Sequence, residues 1–139
     1  MRIPRALLDR VVEHALRDAP DECCGLLGVK DGDVVSVHEL ENVLNGPKVF
    51  GFELGGPSYP RAMMAIDDAE AEAGVLYHSH TRSKPYPSQT DINFGRDPHR
   101  IPGVEWLIVG TTGAEPEVRS YLIAEDGEVT EVPVTVVDA

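Results

Sequence analysis

The chain has 139 residues, of which 42% are hydrophobic and 26% are charged. This length suits one domain over residues 1–139 with a sizeable core, and the composition excludes a disordered chain. The 12 basic and 24 acidic residues give a formal charge of −12, which argues against a nucleic-acid partner because such proteins bind phosphate through cations.

The N-terminal region and the cysteines bear on location. The first residues turn charged too soon for a signal peptide, and no apolar run approaches the ~20 residues of a membrane span. Cys23 and Cys24 form one adjacent pair, which is not the disulfide framework of a secreted domain. We therefore expect a cytoplasmic protein with no membrane partner, in which Cys24 is a small buried hydrophobe. No role is predicted for Cys23.

The first half of the chain alternates between helical and strand patterns. Apolar residues at helical spacing predict the first helix, which Pro20 ends, and Gly32 lies in a turn between two strands. The predicted elements are a helix over Pro4–Asp18, strands over Gly25–Val29 and Val34–Leu40, a loop over Glu41–Lys48, a strand over Val49–Leu54, and a helix after Pro57-Ser58 to about Ala73.

The second half opens with a buried strand and closes with a hairpin. Trp106 is expected in the core. The predicted elements are a strand from Gly74 to His80, a helix from Ser88 to about Gly95, an irregular loop over Phe94–Gly103, and strands over Val104–Val109, Val118–Ala124 and Val129–Val137. Together these elements predict a single α/β domain, a mixed β-sheet flanked by helices.

Two histidines end the strand that begins at Gly74. Side chains alternate across a strand, so His78 and His80 project from one face while Ser79 points away. Two imidazoles on one face can hold one divalent ion, and Asp91 offers an oxygen donor after a proline-stiffened loop. Three such ligands leave a fourth tetrahedral position open, as in catalytic zinc sites.

The same residues also have a purely structural interpretation. Ser88 and Asp91 are spaced as a capping box at the start of a helix, with Asp in place of Glu or Gln. Paired histidines also occur on ordinary half-buried strands. From the residues alone, both interpretations stay open.

The spacing of His-Ser-His, seven residues, Ser, two residues and Asp resembles the JAMM motif of the MPN-domain metalloproteases. Upstream, Glu22 followed by Cys24-Gly25-Leu26-Leu27 is similar to the glutamate-containing entry to that family's first strand. The resemblance covers nearly the whole chain. It implies a helix-flanked mixed sheet, distantly like that of cytidine deaminases, with one Zn²⁺ per chain held by His78, His80 and Asp91.

The resemblance also implies catalytic roles for two residues. Glu22 would act as the base beside the metal without ligating it, and then protonate the departing amine. Ser88 would stabilise the oxyanion through its hydroxyl. Alternatively, Glu22 is a solvated residue after a helix end. Arg82 and Lys84, in the loop between the ligands, meet an anionic group of the substrate or are solvated charges.

Within the family, the chain looks like the compact bacterial Mec-type peptidases, which release cysteine from the C-terminus of a ubiquitin-like sulfur carrier protein. The likeness is carried by Tyr77–Thr81, Tyr86–Asp91 and Arg119-Ser120-Tyr121, and by short segments flanking the site. The Arg82–Pro85 insert is not part of it. This implies zinc-dependent hydrolysis of the amide after a C-terminal Gly-Gly, in cysteine biosynthesis. A protease that trims the carrier's tail and a deubiquitinase-like isopeptidase are the alternatives.

Overall fold

Strands from across the chain join in one curled sheet in the computed structural model, which describes residues 1–100 and 103–138. The helices and strands in this part of the chain are β1 Arg2–Pro4, α1 Arg5–Asp18, β2 Cys24–Lys30, β3 Asp33–Leu40, α2 Ser58–Asp68, β4 Glu72–His80, α3 Gln89–Gly95, β5 Glu105–Gly110, β6 Glu117–Ile123, β7 Val129–Val132 and β8 Thr135–Val137. The predicted α/β class with a mixed sheet is confirmed.

The strand order is β7-β6-β5-β4-β2-β3-β1-β8, which places β4 near the middle of the sheet. β4 runs antiparallel to β2 and parallel to β5. Only Pro133 and Val134 separate β7 from β8, yet these strands stand at opposite ends of the order. Because this connection is so short, the sheet must curl until its two edge strands, β7 and β8, approach each other. At the β8 edge, the amide of Thr135 donates to the carbonyl of Met1, just before the neighbouring strand β1, at 2.9 Å.

Each face of the sheet is covered by a helix. On one face, α1 places Val11 and Ala15 in a buried cluster with Tyr77. On the other face, α2 places Ile66 in a second cluster with Trp106. Leu76 of β4 belongs to this second cluster. Because side chains alternate along a strand, His78 and His80 lie on the same face of β4 as Leu76. The expected burial of Trp106 and Cys24 is confirmed.

The strand predicted over Val49–Leu54 is wrong, because this segment has no ladder partner. Its backbone is bonded elsewhere: the carbonyl of Gly51 accepts from the side chain of Asn42, and the carbonyl of Glu53 accepts from the amide of Val43. A buried backbone group must find some partner, and here side chains and a neighbouring segment supply it.

Smaller differences have local causes. The predicted strand over Val129–Val137 is two strands, because Pro133 lacks the amide that a ladder needs, and β8 pairs with β1 instead of β6. Helix α2 ends before Glu70, whose φ of 57° lies in the left-handed region. The short strand β1 was not predicted. Residues 101–102 of the predicted irregular loop lie outside the described residues. No helix in the described part of the chain is long and apolar enough to cross a membrane.

Candidate metal centre

The central strand β4 presents both histidines from one face. His78 is fully buried and His80 is 4% exposed. Ser79, between them, points to the opposite face, where its Oγ accepts a hydrogen bond from the amide of Cys23 at 2.8 Å. The predicted alternation of these three residues is thus confirmed, and Ser79 ties the segment before β2 to the strand that carries the histidines.

Asp91 is held by the start of α3. The Ser88 Oγ accepts from the amide of Asp91 at 3.1 Å, and the Asp91 Oδ2 accepts from the amide of Ser88 at 3.0 Å, so a complete capping box is present. The same Oδ2 atom lies 3.1 Å from the Nε2 atoms of both His78 and His80. The carboxylate that completes the capping box is therefore the same one that lies beside both histidines.

The three donor atoms form a nearly equilateral triangle. The Nε2 atoms of His78 and His80 are 3.1 Å apart, which equals each nitrogen's distance to Asp91 Oδ2. A tetrahedral zinc site with bonds of about 2.0–2.1 Å places its ligand atoms about 3.3 Å apart. Two imidazoles, one carboxylate and this spacing fit Zn²⁺ or a similar divalent ion.

The orientation of each imidazole is fixed differently. The Nδ1–H of His80 donates to the carbonyl of Lys84 at 3.0 Å, which leaves the Nε2 lone pair facing the triangle. The ring of His78 is held by packing: its centroid is 4.6 Å from that of Phe52 and 5.7 Å from that of Trp106. Its Nδ1 has no hydrogen-bond partner among the described residues.

Glu22 reaches the triangle through the register of the sheet. Cys24 pairs with His78 in the antiparallel ladder of β2 and β4, so two residues earlier Glu22 lies beside His80. Its side chain is 7% exposed, and one ligand atom each from Glu22, His78 and His80 lie within 4.8 Å of one another. The solvated alternative for Glu22 is wrong.

The electrostatics of the two carboxyl groups differ. Burial raises the pKa of Glu22 to about 8, with His80 opposing the rise and the charge of Asp91 adding to it. Burial also works to raise the pKa of Asp91, but His78, His80 and the amide of Ser88 hold it well below its usual range. Burial therefore favours the protonated form of Glu22, whereas the neighbours of Asp91 favour its ionised form.

A cavity of about 420 Å³ adjoins the triangle. Glu22, Ser88 and Asp91 line it, together with Arg82, whose guanidinium lies 5.7 Å from the centroid of the Phe50 ring. Lys84 lines a different cavity, with Glu117, Arg119, Glu131 and neighbouring residues. The structure thus separates the two loop cations that the sequence left equivalent.

The aromatic residues that form one wall of this cavity were not predicted from the sequence. Phe50 and Phe52 line it, the first 71% exposed and the second packed on His78. The segment that carries them, Val49–Leu54, was predicted to be a strand. Asn42, which holds their segment in place, was assigned only to a loop. No local signal distinguishes it, because its partners lie elsewhere in the chain.

Cys23, for which no role was predicted, is buried beside the site. Burial raises the pKa of its thiol to about 12, so it stays protonated and unreactive.

The fold and site define a metal-dependent hydrolase: two imidazoles and a carboxylate converge beside a cavity that also holds a buried carboxyl and a hydroxyl. The family described as prokaryotic homologs of the JAB domain matches residues 4–124. The chain belongs to this family of JAMM-type metallopeptidases.

Individual relatives span almost the whole chain. The CysO-cysteine peptidase of Mycobacterium tuberculosis is 36% identical over 135 residues, which cover 95% of this chain and 88% of that protein. A probable TtuB-protein conjugate cleaving protease of Thermus thermophilus is 34% identical over 128 residues, covering 91% and 78%. The crystal structure of a JAB1/MPN domain protein from Archaeoglobus fulgidus has the same fold, with a TM-score of 0.63 at 24% identity and coverage of 99% and 100%.

Proposed function

We propose that this chain hydrolyses the amide bond after the C-terminal Gly-Gly of a ubiquitin-like sulfur carrier protein and releases cysteine. The observation that carries the proposal is the cavity beside the donor triangle, which combines Glu22, Ser88 and the cation of Arg82. The similarity to a CysO-cysteine peptidase supports cysteine as the leaving group. One Zn²⁺ per chain would be held by His78, His80 and Asp91.

The bound zinc ion would supply a Lewis acid that polarises the substrate carbonyl and favours ionisation of water. Glu22 would accept a proton from the attacking water and later return it to the nitrogen of the leaving amine. A neighbouring divalent cation favours the ionised carboxylate, which offsets the burial that raises the pKa of Glu22.

Ser88 can serve the reaction while it caps α3. Its Oγ accepts from the amide of Asp91, which uses an acceptor position and leaves the hydroxyl hydrogen free. That hydrogen would donate to the oxyanion that forms when water adds to the carbonyl. Because the capping bond fixes the position of the Oγ, the donor is in place before the substrate arrives.

Arg82 would recognise the leaving residue. A cysteine joined by its amine to the terminal glycine carries a free α-carboxylate, whereas a lysine side chain in an isopeptide bond lies within a protein chain. Arg82 has no acidic partner among the described residues and lines the site cavity, so it can meet that carboxylate. Lys84 lies outside this cavity.

The test compares four substrates by mass spectrometry under one set of conditions: carrier–cysteine, its cysteinamide version, the carrier with a longer tail, and a carrier joined to a lysine of a second protein. We expect carrier–cysteine to be cleaved fastest, and the cysteinamide version, without the α-carboxylate, to be slower. Arg82→Gln should raise KM for carrier–cysteine and leave the cysteinamide unchanged. Lys84→Gln is the matched control and should change neither.

Two other outcomes would replace the proposal. Faster removal of the longer tail would identify a protease that matures the carrier. Efficient cleavage of the isopeptide-linked conjugate would identify a deconjugating enzyme, which the similarity to the Thermus protein favours as the second candidate. The exposed ring of Phe50 beside the cavity is compatible with contact to a folded protein in either case.

A further inference from the structure

The side chain of Asn42 uses every hydrogen-bonding position that an amide has. Its Nδ2 donates to the carbonyl of Glu22 at 2.9 Å and to the carbonyl of Gly51 at 3.0 Å. Its Oδ1 accepts from the amides of Leu44 and Glu53, both at 3.1 Å. One partly buried side chain therefore joins the segment before β2 to both ends of a loop that has no strand partner.

These bonds hold the backbone of Glu22 from both sides. Its carbonyl accepts from Asn42, and its amide donates to the carbonyl of Lys48 at 2.8 Å. Both partners belong to the segment over residues 41–57, which has neither helix nor strand in the structure. Movement of this segment would therefore move the backbone that carries the Glu22 carboxyl.

The same segment forms one wall of the site cavity. Phe50 and Gly51 line the cavity, and Phe52 packs on the ring of His78 at a centroid distance of 4.6 Å. Asn42 bonds to Gly51, between the two aromatic residues. A single side chain thus connects the surface that a substrate would contact with the backbone of Glu22, the residue whose carboxyl would accept a proton.

We propose that Asn42 is a positioning residue that sets Glu22 against the donor triangle and couples its placement to the cavity wall. This inference rests on the proposed role of Glu22 as the proton acceptor. It is distinct from simple anchoring of a loop, which requires bonds to Gly51, Leu44 and Glu53 but not to the carbonyl of Glu22.

The decisive variant is Asn42→Asp, which keeps the shape and the acceptors but loses both donors. A carboxylate oxygen would then face the carbonyl oxygens of Glu22 and Gly51, and its negative charge would repel both of them. Asn45→Asp is the matched control, since Asn45 is exposed on the same loop and makes no side-chain hydrogen bond among the described residues. Asn42→Ser, which removes the amide without placing a charge beside the carbonyls, replaces it if the aspartate variant does not fold, with a loss in the same direction expected in each measurement below.

The first measurement is amide hydrogen exchange in the zinc-loaded protein without substrate. We expect the amide of Glu22 to exchange about tenfold faster in Asn42→Asp, the factor for losing one to two net hydrogen bonds. Asn45→Asp should match the wild type. Unchanged exchange at Glu22 in Asn42→Asp would overturn the proposal. Because no substrate is needed, this result stands even if carrier–cysteine is not cleaved, which would count against the proposed function alone.

The second measurement is the rate on carrier–cysteine, with zinc content as the control. We expect Asn42→Asp to keep its zinc and lose about 10²-fold in kcat, the cost of displacing a reacting group by about 1 Å. In a Glu22→Gln background the same substitution should cost no further rate. An equal loss in both backgrounds would show that Asn42 does not act through Glu22 and would overturn the proposal.

Discussion

Ser88 has two roles, as the cap of α3 and as the proposed donor to the oxyanion, and a pair of substitutions can separate them. Both Ser88→Ala and Ser88→Gly remove the hydroxyl, but they differ in how much they weaken the helix cap. Ser88→Ala loses both the helix cap and the hydroxyl. Ser88→Gly loses the same hydroxyl, yet glycine at a helix N-cap costs only a few tenths of a kcal/mol relative to serine. The Asp91 carboxylate can still accept from the amide of residue 88 in both variants, since that bond uses backbone atoms.

The expected magnitudes follow from the bonds that Ser88 makes. Replacing Ser88, the N-cap of α3, by alanine should cost about 1 kcal/mol, which is about 3–5 °C in Tm for a domain of this size, whereas glycine at an N-cap costs only a few tenths. Losing an oxyanion donor should cost about 10²–10³ in kcat. Ser88→Ala and Ser88→Gly should therefore lose similar activity, while Ser88→Gly melts close to the wild type.

The assay pairs thermal melting with mass-spectrometric turnover of carrier–cysteine on zinc-loaded protein, and metal analysis of each variant excludes loss of zinc. Normal turnover in both variants, with Ser88→Ala melting earlier, would refute the donor role and leave Ser88 as a cap. Activity that instead follows Tm, low in Ser88→Ala and normal in Ser88→Gly, would refute it as well, because the hydroxyl is absent from both.

Four further predictions follow from the same geometry. Glu22→Gln should keep its zinc and fold but lose nearly all hydrolysis, since an amide cannot accept the proton; retained turnover would contradict the assignment. His80→Ala should hold less zinc than the wild type, at one ion per chain, by metal analysis; equal content would exclude His80 as a ligand. Gly25→Ala should lower Tm, because its Cβ would lie 2.2 Å from the Tyr77 ring; an unchanged melting curve would show that the ring can move. Burial lowers the pKa of His14, so the unfolded chain binds more protons; stability should fall as the pH drops below about 6.5, and the fall should be smaller in His14→Gln by denaturant unfolding across that range.

The chain's own local patterns determined much of the site. The alternation of a strand put His78 and His80 on one face, and the spacing of Ser88 and Asp91 predicted the cap that holds the third donor. Both follow from the geometry of a single strand or helix turn, within a few residues of chain. For this reason the ligand-bearing strand and α3 were predicted close to their observed positions.

The tertiary structure decided what depends on pairing between distant segments. Glu22 meets His80 because β2 and β4 pair in one particular antiparallel register, and a shift of one residue would turn its side chain to the other face. The segment over residues 49–54 was predicted to be a strand, but the side chain of Asn42 and the backbone of Val43 take the hydrogen bonds of Gly51 and Glu53. Local sequence specifies which groups a residue can bond. The partner to which each residue bonds depends on the packing of the whole chain. This packing brings Glu22, the donor triangle and the cavity wall together.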